Sequence, residues 1–207
     1  MRVIAQREDI RDLILDGVDH LLAKFGYKKM TMEDLAQNVG IGKGTIYLHF
    51  PSKRDVTLSH IDRIVDRLLV QLRLIARSAD SPEEKLRKML ITRVLFRFDS
   101  VRNYSQSLND LLASLRGPLM SRRETHFSKE ASVLADVLHE GKRNGKFQFS
   151  DVDPVAQALI WATNSLLPYS LTARELGKRK EVEEKASRIA DLLLCGIIQR
   201  EKRQRSM

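Results

Sequence analysis

A chain of 207 residues with 43% apolar and 30% charged side chains has room for one or two domains with a true hydrophobic core and is too apolar to stay disordered. Its single cysteine, Cys195, excludes a disulfide framework and a cysteine-based metal site, so a reducing cytoplasm is expected. Acidic residues by position 8 and the lack of a long apolar run lead us to expect neither a signal peptide nor a membrane span.

The net charge of +9 favours a polyanionic partner, but its distribution is uneven. Residues 1–55 hold nine Lys or Arg against eight Asp or Glu, and the remainder holds 27 against 19. Within residues 28–54 the balance is five to two, Lys28, Lys29, Lys43, Lys53 and Arg54 against Glu33 and Asp34. That local excess is what a phosphate backbone would meet.

In chain order, Ile10, Leu13, Ile14, Val18, Leu21, Leu22 and Phe25 recur at helical spacing and predict a first helix, with Gly26 as its stop. Thr31 followed by Asp34 reads as a capping box that opens a short helix. Leu35, Ala36 and Val39 form its inner face, and Gly40 suits the left-handed residue that ends it. A second short helix over 42–48 precedes His49, Phe50 and Pro51, and Ser52 with Asp55 repeats the capping pattern. Two short helices across a glycine turn are the skeleton of a helix-turn-helix.

Beyond it the pattern stays helical. Breaks near 78–82, 117–118, 141–145, 151–154 and 177 predict helices over 53–77, 83–98, 103–115, 120–144, 153–175 and 180–201. The expected fold is all-α, about nine helices. Residues 1–52 are read as a helix-turn-helix domain, with the motif at 31–50, and 53–207 as a helical effector-binding and dimerisation domain.

The run TMEDLAQNVGIGKGTIYLHFPSK at 31–53 resembles the signature of the TetR family of transcriptional regulators. It matches in Thr, Leu-Ala, Gly, Gly-Thr-Ile-Tyr, His-Phe and Ser-Lys at the family's spacing, and close resemblance covers about residues 8–55. The resemblance implies a sequence-specific DNA-binding regulator, a repressor released from a double-stranded operator by a small molecule. It implies backbone contacts from Thr31, Tyr47, His49 and Lys53 and base contacts from Lys43 and Thr45, while Gly44 keeps the helix slim enough for the major groove. One departure is Gly42, where many members place a Ser or Thr cap.

Each of these residues also has a plainer use. Thr31 and Ser52 cap helices in any helical protein, His49 suits an ordinary surface turn, and Phe50 is assigned to the core and Tyr47 to the phosphate side. The run at 40–45 is not a nucleotide-binding loop, because position 37 is Gln and Gly44 follows Lys43.

A single helix-turn-helix reads few base pairs, so a homodimer through the last two helices is expected. Val182, Ala186, Ile189, Ala190, Leu193 and Ile197 form one stripe of the last helix, with Leu192, Cys195 and Ile198 beside it. Val155 to Tyr169 is its expected companion. By the resemblance, the middle helices enclose a pocket whose candidate lining is Met89, Phe96, Tyr104, Met120, Phe127, Trp161, Asn164 and Tyr169, all equally suited to a core. The arginines at 93, 97, 102, 116, 122 and 123 admit an anionic effector or form a solvated basic surface.

No cofactor, metal site or enzymatic activity is expected. The histidines at 20, 49, 60, 126 and 139 lack metal spacing, and His139-Glu140 lacks the second His of a zinc motif. The alternative is a DNA-bound architectural or cell-division regulator of the same fold whose effector is a protein. Either protein would work in the cytoplasm, at the nucleoid.

Overall fold

The computed structural model describes residues 2–168 and 177–198. Among them are eight α-helices: α1 (Arg2–Lys29), α2 (Met32–Val39), α3 (Lys43–His49), α4 (Lys53–Ala76), α5 (Pro82–Val101), α6 (Leu108–Arg143), α7 (Val152–Ala162) and α8 (Arg179–Ile197). Short 3-10 turns follow α5 (Arg102–Ser107) and α7 (Asn164–Leu166). The only pairing outside helices among the described residues is an isolated antiparallel bridge between Phe147 and Ile198. None of these helices is long and apolar enough to cross a membrane.

The apolar stripe of α1 buries Ile14, Leu15, Val18, Leu21 and Leu22 against Leu35 of α2, Ile46 of α3 and Phe50. Gly26 breaks the helix with φ 71°, as expected, although one further turn follows it. This N-terminal core does not end at residue 52. Val56 and Leu58 of α4 enter it, as do Tyr104, Leu108, Leu111 and Leu115. The second core lies between α4, α5, α6, α7 and α8, and its fully buried members include Leu68, Leu72, Leu86, Met89, Leu90, Leu134 and Leu138.

The expected break at 117–118 does not occur: α6 runs unbroken through Pro118. Proline there removes one backbone hydrogen bond, that to the carbonyl of Ser114. Leu111 and Leu115 anchor the helix in one core and Leu134 and Leu138 in the other. Packing on both sides outweighs the local penalty, and the expected pair of helices is one.

The arginines do not all form a solvated surface. Arg93 and Arg97 of α5 are buried with Glu130 of α6. Arg93 Nε donates to Glu130 Oε2 at 2.6 Å and its guanidinium also to Thr163 Oγ1 at 2.7 Å. Arg97 donates to Glu130 Oε1 at 2.5 Å and Oε2 at 3.2 Å. This cluster ties α5, α6 and the end of α7 together.

Candidate nucleic-acid interface

The helix-turn-helix is built by local chemistry. Thr31 Oγ1 accepts the Asp34 N–H at 3.0 Å while Asp34 Oδ2 accepts the Thr31 N–H at 3.0 Å, so both halves of the capping box are present. Gly40 ends α2 with φ 75°, and its N–H donates to the Ala36 carbonyl. A Cβ at Gly40 would touch nothing within 4 Å, so backbone conformation, not crowding, selects glycine there. Gly42 starts α3 without a side-chain cap, as the sequence indicates. Ser52 Oγ accepts the Asp55 N–H at 3.2 Å to open α4. The reciprocal half is different from a capping box, because Asp55 receives the Ser52 hydroxyl instead.

On α3, Ile46 is buried and Thr45 half-buried, whereas Lys43, Gly44, Tyr47 and Leu48 face outward. The outward set repeats at intervals of four, 43 with 47 and 44 with 48, which makes one ridge along the helix. Tyr47 is 45% exposed, so it is not a core aromatic; Phe50 is, at 1%, with the Arg11 guanidinium 4.4 Å from its ring centre. His49 is half-buried at the end of α3.

Two of the lysines already have partners. Lys43 Nζ donates to Glu33 Oε2 of α2 at 2.7 Å, and this hydrogen bond holds the Lys43 pKa above its ordinary value. Lys53 Nζ donates to the carbonyls of Tyr27 and Lys28 at 3.1 and 3.3 Å and lies 4.7 Å from the Tyr27 ring centre. It satisfies carbonyls at the end of α1 and so fixes the start of α4 against it. Thr31 is exposed beside this junction. The seven motif residues singled out from the sequence thus lie on α3, at the N-cap of α2 (Thr31) or at the first residue of α4 (Lys53). Leu48, which periodicity had placed merely at the end of a helix, joins them as the most exposed large apolar side chain described.

The head is tied to the body by ion pairs. Arg63 of α4 meets Asp12 at 3.3 Å and Asp16 at 2.8 Å, and Lys28 meets Asp110 of α6 at 2.6 Å. Beneath Arg63 the ring of His60 is buried beside the Leu15 backbone, with Nε2 3.6 Å from Asp19 Oδ1. Burial first, and the Arg63 charge next, push its pKa down to about 4.

An apolar cleft with about 80 Å³ of accessible space opens where α4, α5 and α6 meet. Ile61, Ile64, Val65, Leu111, Leu112 and Leu119 form much of its wall, with Tyr104, Met120 and Phe127 from the expected lining. Arg97, Arg123 and His126 are its polar members. The other expected residues lie elsewhere. Met89 is packed in the second core, Phe96 lines a separate polar cleft beside His60, and Trp161 points to solvent at 65% exposure. Asn164 sits in the turn after α7, off the cleft's lining, and Tyr169 lies outside the described residues. Helical spacing put these side chains on apolar stripes without saying which stripe faces a void.

The family model described as bacterial regulatory proteins, tetR family, matches residues 14–59. The HTH-type transcriptional repressor KstR2 of Mycolicibacterium smegmatis is 30% identical over 152 residues, 70% of this chain and 71% of that protein. The chain belongs to the TetR family. It is therefore a DNA-binding transcriptional regulator and not an enzyme.

Further relatives and structures widen the comparison. The nucleoid occlusion factor SlmA of Pectobacterium carotovorum is 29% identical over 159 residues, covering 75% of this chain and 80% of that one. Among solved structures, a transcriptional regulator from Cytophaga hutchinsonii superposes with a TM-score of 0.76 at 21% identity, over 91% of this chain and 98% of its own. A TetR-family regulator from Pectobacterium atrosepticum gives 0.75 at 18% identity, over 96% and 98%. At such identities the structural likeness establishes the fold alone.

Proposed function

We propose that this regulator is a homodimeric repressor that holds a short pseudo-palindromic operator through α3 and leaves it when a small, largely apolar molecule enters the cleft between α4, α5 and α6. The observation that carries the reading is the composition of the cleft's walls. Tyr104, Leu108 and Leu111 line it and also belong to the N-terminal core, so an occupant presses on side chains that seat the head. A ligand that fits only one setting of those walls shifts the population toward that setting.

In this reading residues 1–52, joined by Lys53 at the start of α4, bind DNA, and the rest of 53–207 binds effector and partner. Lys43 and Thr45 read base edges, Gly44 admits the backbone, and Thr31, Tyr47, His49 and Lys53 hold phosphate oxygens. Apolar side chains exposed late in the chain, Trp161 of α7 and Leu192 of α8 at 75%, support a partner surface on these helices. The relative named as a transcriptional repressor supports repression as the sign of regulation. A second reading, a DNA-bound regulator of cell division answering to a protein, draws support from the relative named as a nucleoid occlusion factor.

The test is a fluorescence-anisotropy titration of the promoter beside the protein's own gene, repeated across salt concentrations and then with small-molecule extracts of the host cell. Salt-sensitive, sequence-preferring binding that a protein-free extract reverses is the expected result. Binding that no extract alters, together with reversal by a purified host protein, favours the second reading. No sequence-preferring complex at any salt concentration sinks both.

A further inference from the structure

Leu48 stands out on the ridge of α3. It is 84% exposed, against 45% for Tyr47 and complete burial for Ile46. One turn earlier on the same ridge is Gly44, where a Cβ would meet nothing within 4 Å. No side chain shields Leu48 from that direction, and a flat backbone lies beside it. Lys43 and Tyr47 complete the ridge with a cation and a phenol, both suited to phosphate or polar base edges.

A leucine has no hydrogen-bonding group, and the floor of the major groove is mostly donors and acceptors. Its one methyl group is the C5 methyl of thymine. Setting an isobutyl group against the N7 and O6 of guanine or the amino group of cytosine would strip water from polar atoms and return nothing to them. Against a thymine methyl it removes apolar surface of both partners from water. We propose that Leu48 is a specificity-determining residue that reads the C5 methyl of a thymine in each operator half-site. The inference rests on the placement of α3 against DNA proposed above.

The experiment begins with the wild-type full chain and a random-sequence duplex library, from which bound DNA is selected. In the enriched duplex each thymine is then replaced singly by deoxyuridine, which lacks only the methyl group, and affinities are compared for wild type and Leu48→Ala. One thymine per half-site is expected whose replacement weakens wild-type binding about fivefold, within the range of a single base contact. Leu48→Ala should bind the thymine and uracil duplexes alike, at the weaker affinity. Because Leu48 is 84% exposed, the variant should keep its thermal midpoint, and Leu48→Met should restore most of the methyl preference. The proposal is overturned if no thymine is sensitive, or if Leu48→Ala keeps the wild-type preference. In either of those cases the enriched duplex still stands for operator binding. A library yielding no enriched sequence overturns the operator reading itself, and this inference with it.

Discussion

Lys43 at the start of the outward ridge is held at 2.7 Å by Glu33 on the preceding helix. The cation offered to DNA is thus partly neutralised by the protein's own carboxylate, and phosphate must compete for it. Both side chains are about half or more exposed, so the pair adds little to folding. Glu33→Gln should tighten binding to the selected duplex about threefold or more at low salt and steepen the salt dependence by nearly one counterion. Its thermal stability should stay within about 1 kcal/mol, the helix-terminus effect of losing a first-turn acid. Anisotropy titrations at several salt concentrations measure this, and a Glu33→Gln gain that persists in a Lys43→Met background would show that Lys43 is not its source.

Glu130 sits between Arg93 and Arg97 with its side chain fully buried. Removing it would leave Arg97 facing a low-dielectric interior without its carboxylate. Glu130→Ala should cost about 3–5 kcal/mol of stability, the scale for breaking a buried ion pair from one side. Urea unfolding followed by circular dichroism gives the value directly. A loss below about 1 kcal/mol would mean that the cluster is solvated in solution.

His60 makes stability depend on pH in a defined window. Its pKa falls from 6.5 to about 4 on folding, so the unfolded chain takes up the proton first as the solution is acidified. Stability from this group is complete above about pH 6.5 and is lost progressively down to about pH 4, by roughly 3 kcal/mol in all. Asp19 opposite it, whose carboxyl burial pushes upward, acts in the other sense. The comparison with His60→Gln therefore isolates the histidine: the variant should lose less stability than wild type between pH 6.5 and pH 4. Identical slopes would show that His60 is charged in the folded protein.

Gly141 is held by a neighbour. A Cβ there would lie 2.1 Å from the ring of Phe147, which is itself 3% exposed and part of the second core. In an open helix position Gly→Ala would stabilise by about 1 kcal/mol. Here the clash should reverse the sign, and Gly141→Ala should destabilise by about 1–3 kcal/mol. Adding Phe147→Leu should recover part of the loss in thermal melts; a stabilised single variant would rule the contact out.

Elements governed by near neighbours were legible from the residues alone. Thr31 with Asp34, Gly40 and Ser52 each act within four positions of themselves, and the structure places their bonds where the spacing requires. What depends on distant partners was not. Pro118 reads as a breaker because nothing near it reveals that α6 is gripped by two cores. Arg93 and Arg97 read as surface charges because Glu130 lies more than thirty positions away. A signal did exist for them: Leu86, Met89, Leu90, Arg93 and Arg97 share one helical stripe, so both arginines lie on a buried face. For Leu48 a helix of seven residues is too short for periodicity to separate an inward from an outward leucine. Of the cleft, Tyr104, Met120 and Phe127 were named, but which stripes leave space between them is a property of helix crossing, not of spacing.

The unbroken course of α6 has a mechanical meaning. It is a single rod clamped toward both ends, by the head through Leu111 and Leu115 and by the body through Leu134 and Leu138, and it lacks one rung of its ladder at Pro118, just past the clamp nearest the head. Leu112 and Leu119 on that weakened span form part of the cleft wall. A load applied there would flex the rod where it is softest and tilt the clamp nearest the DNA, so a displacement of a fraction of an ångström in the body would be magnified at α3.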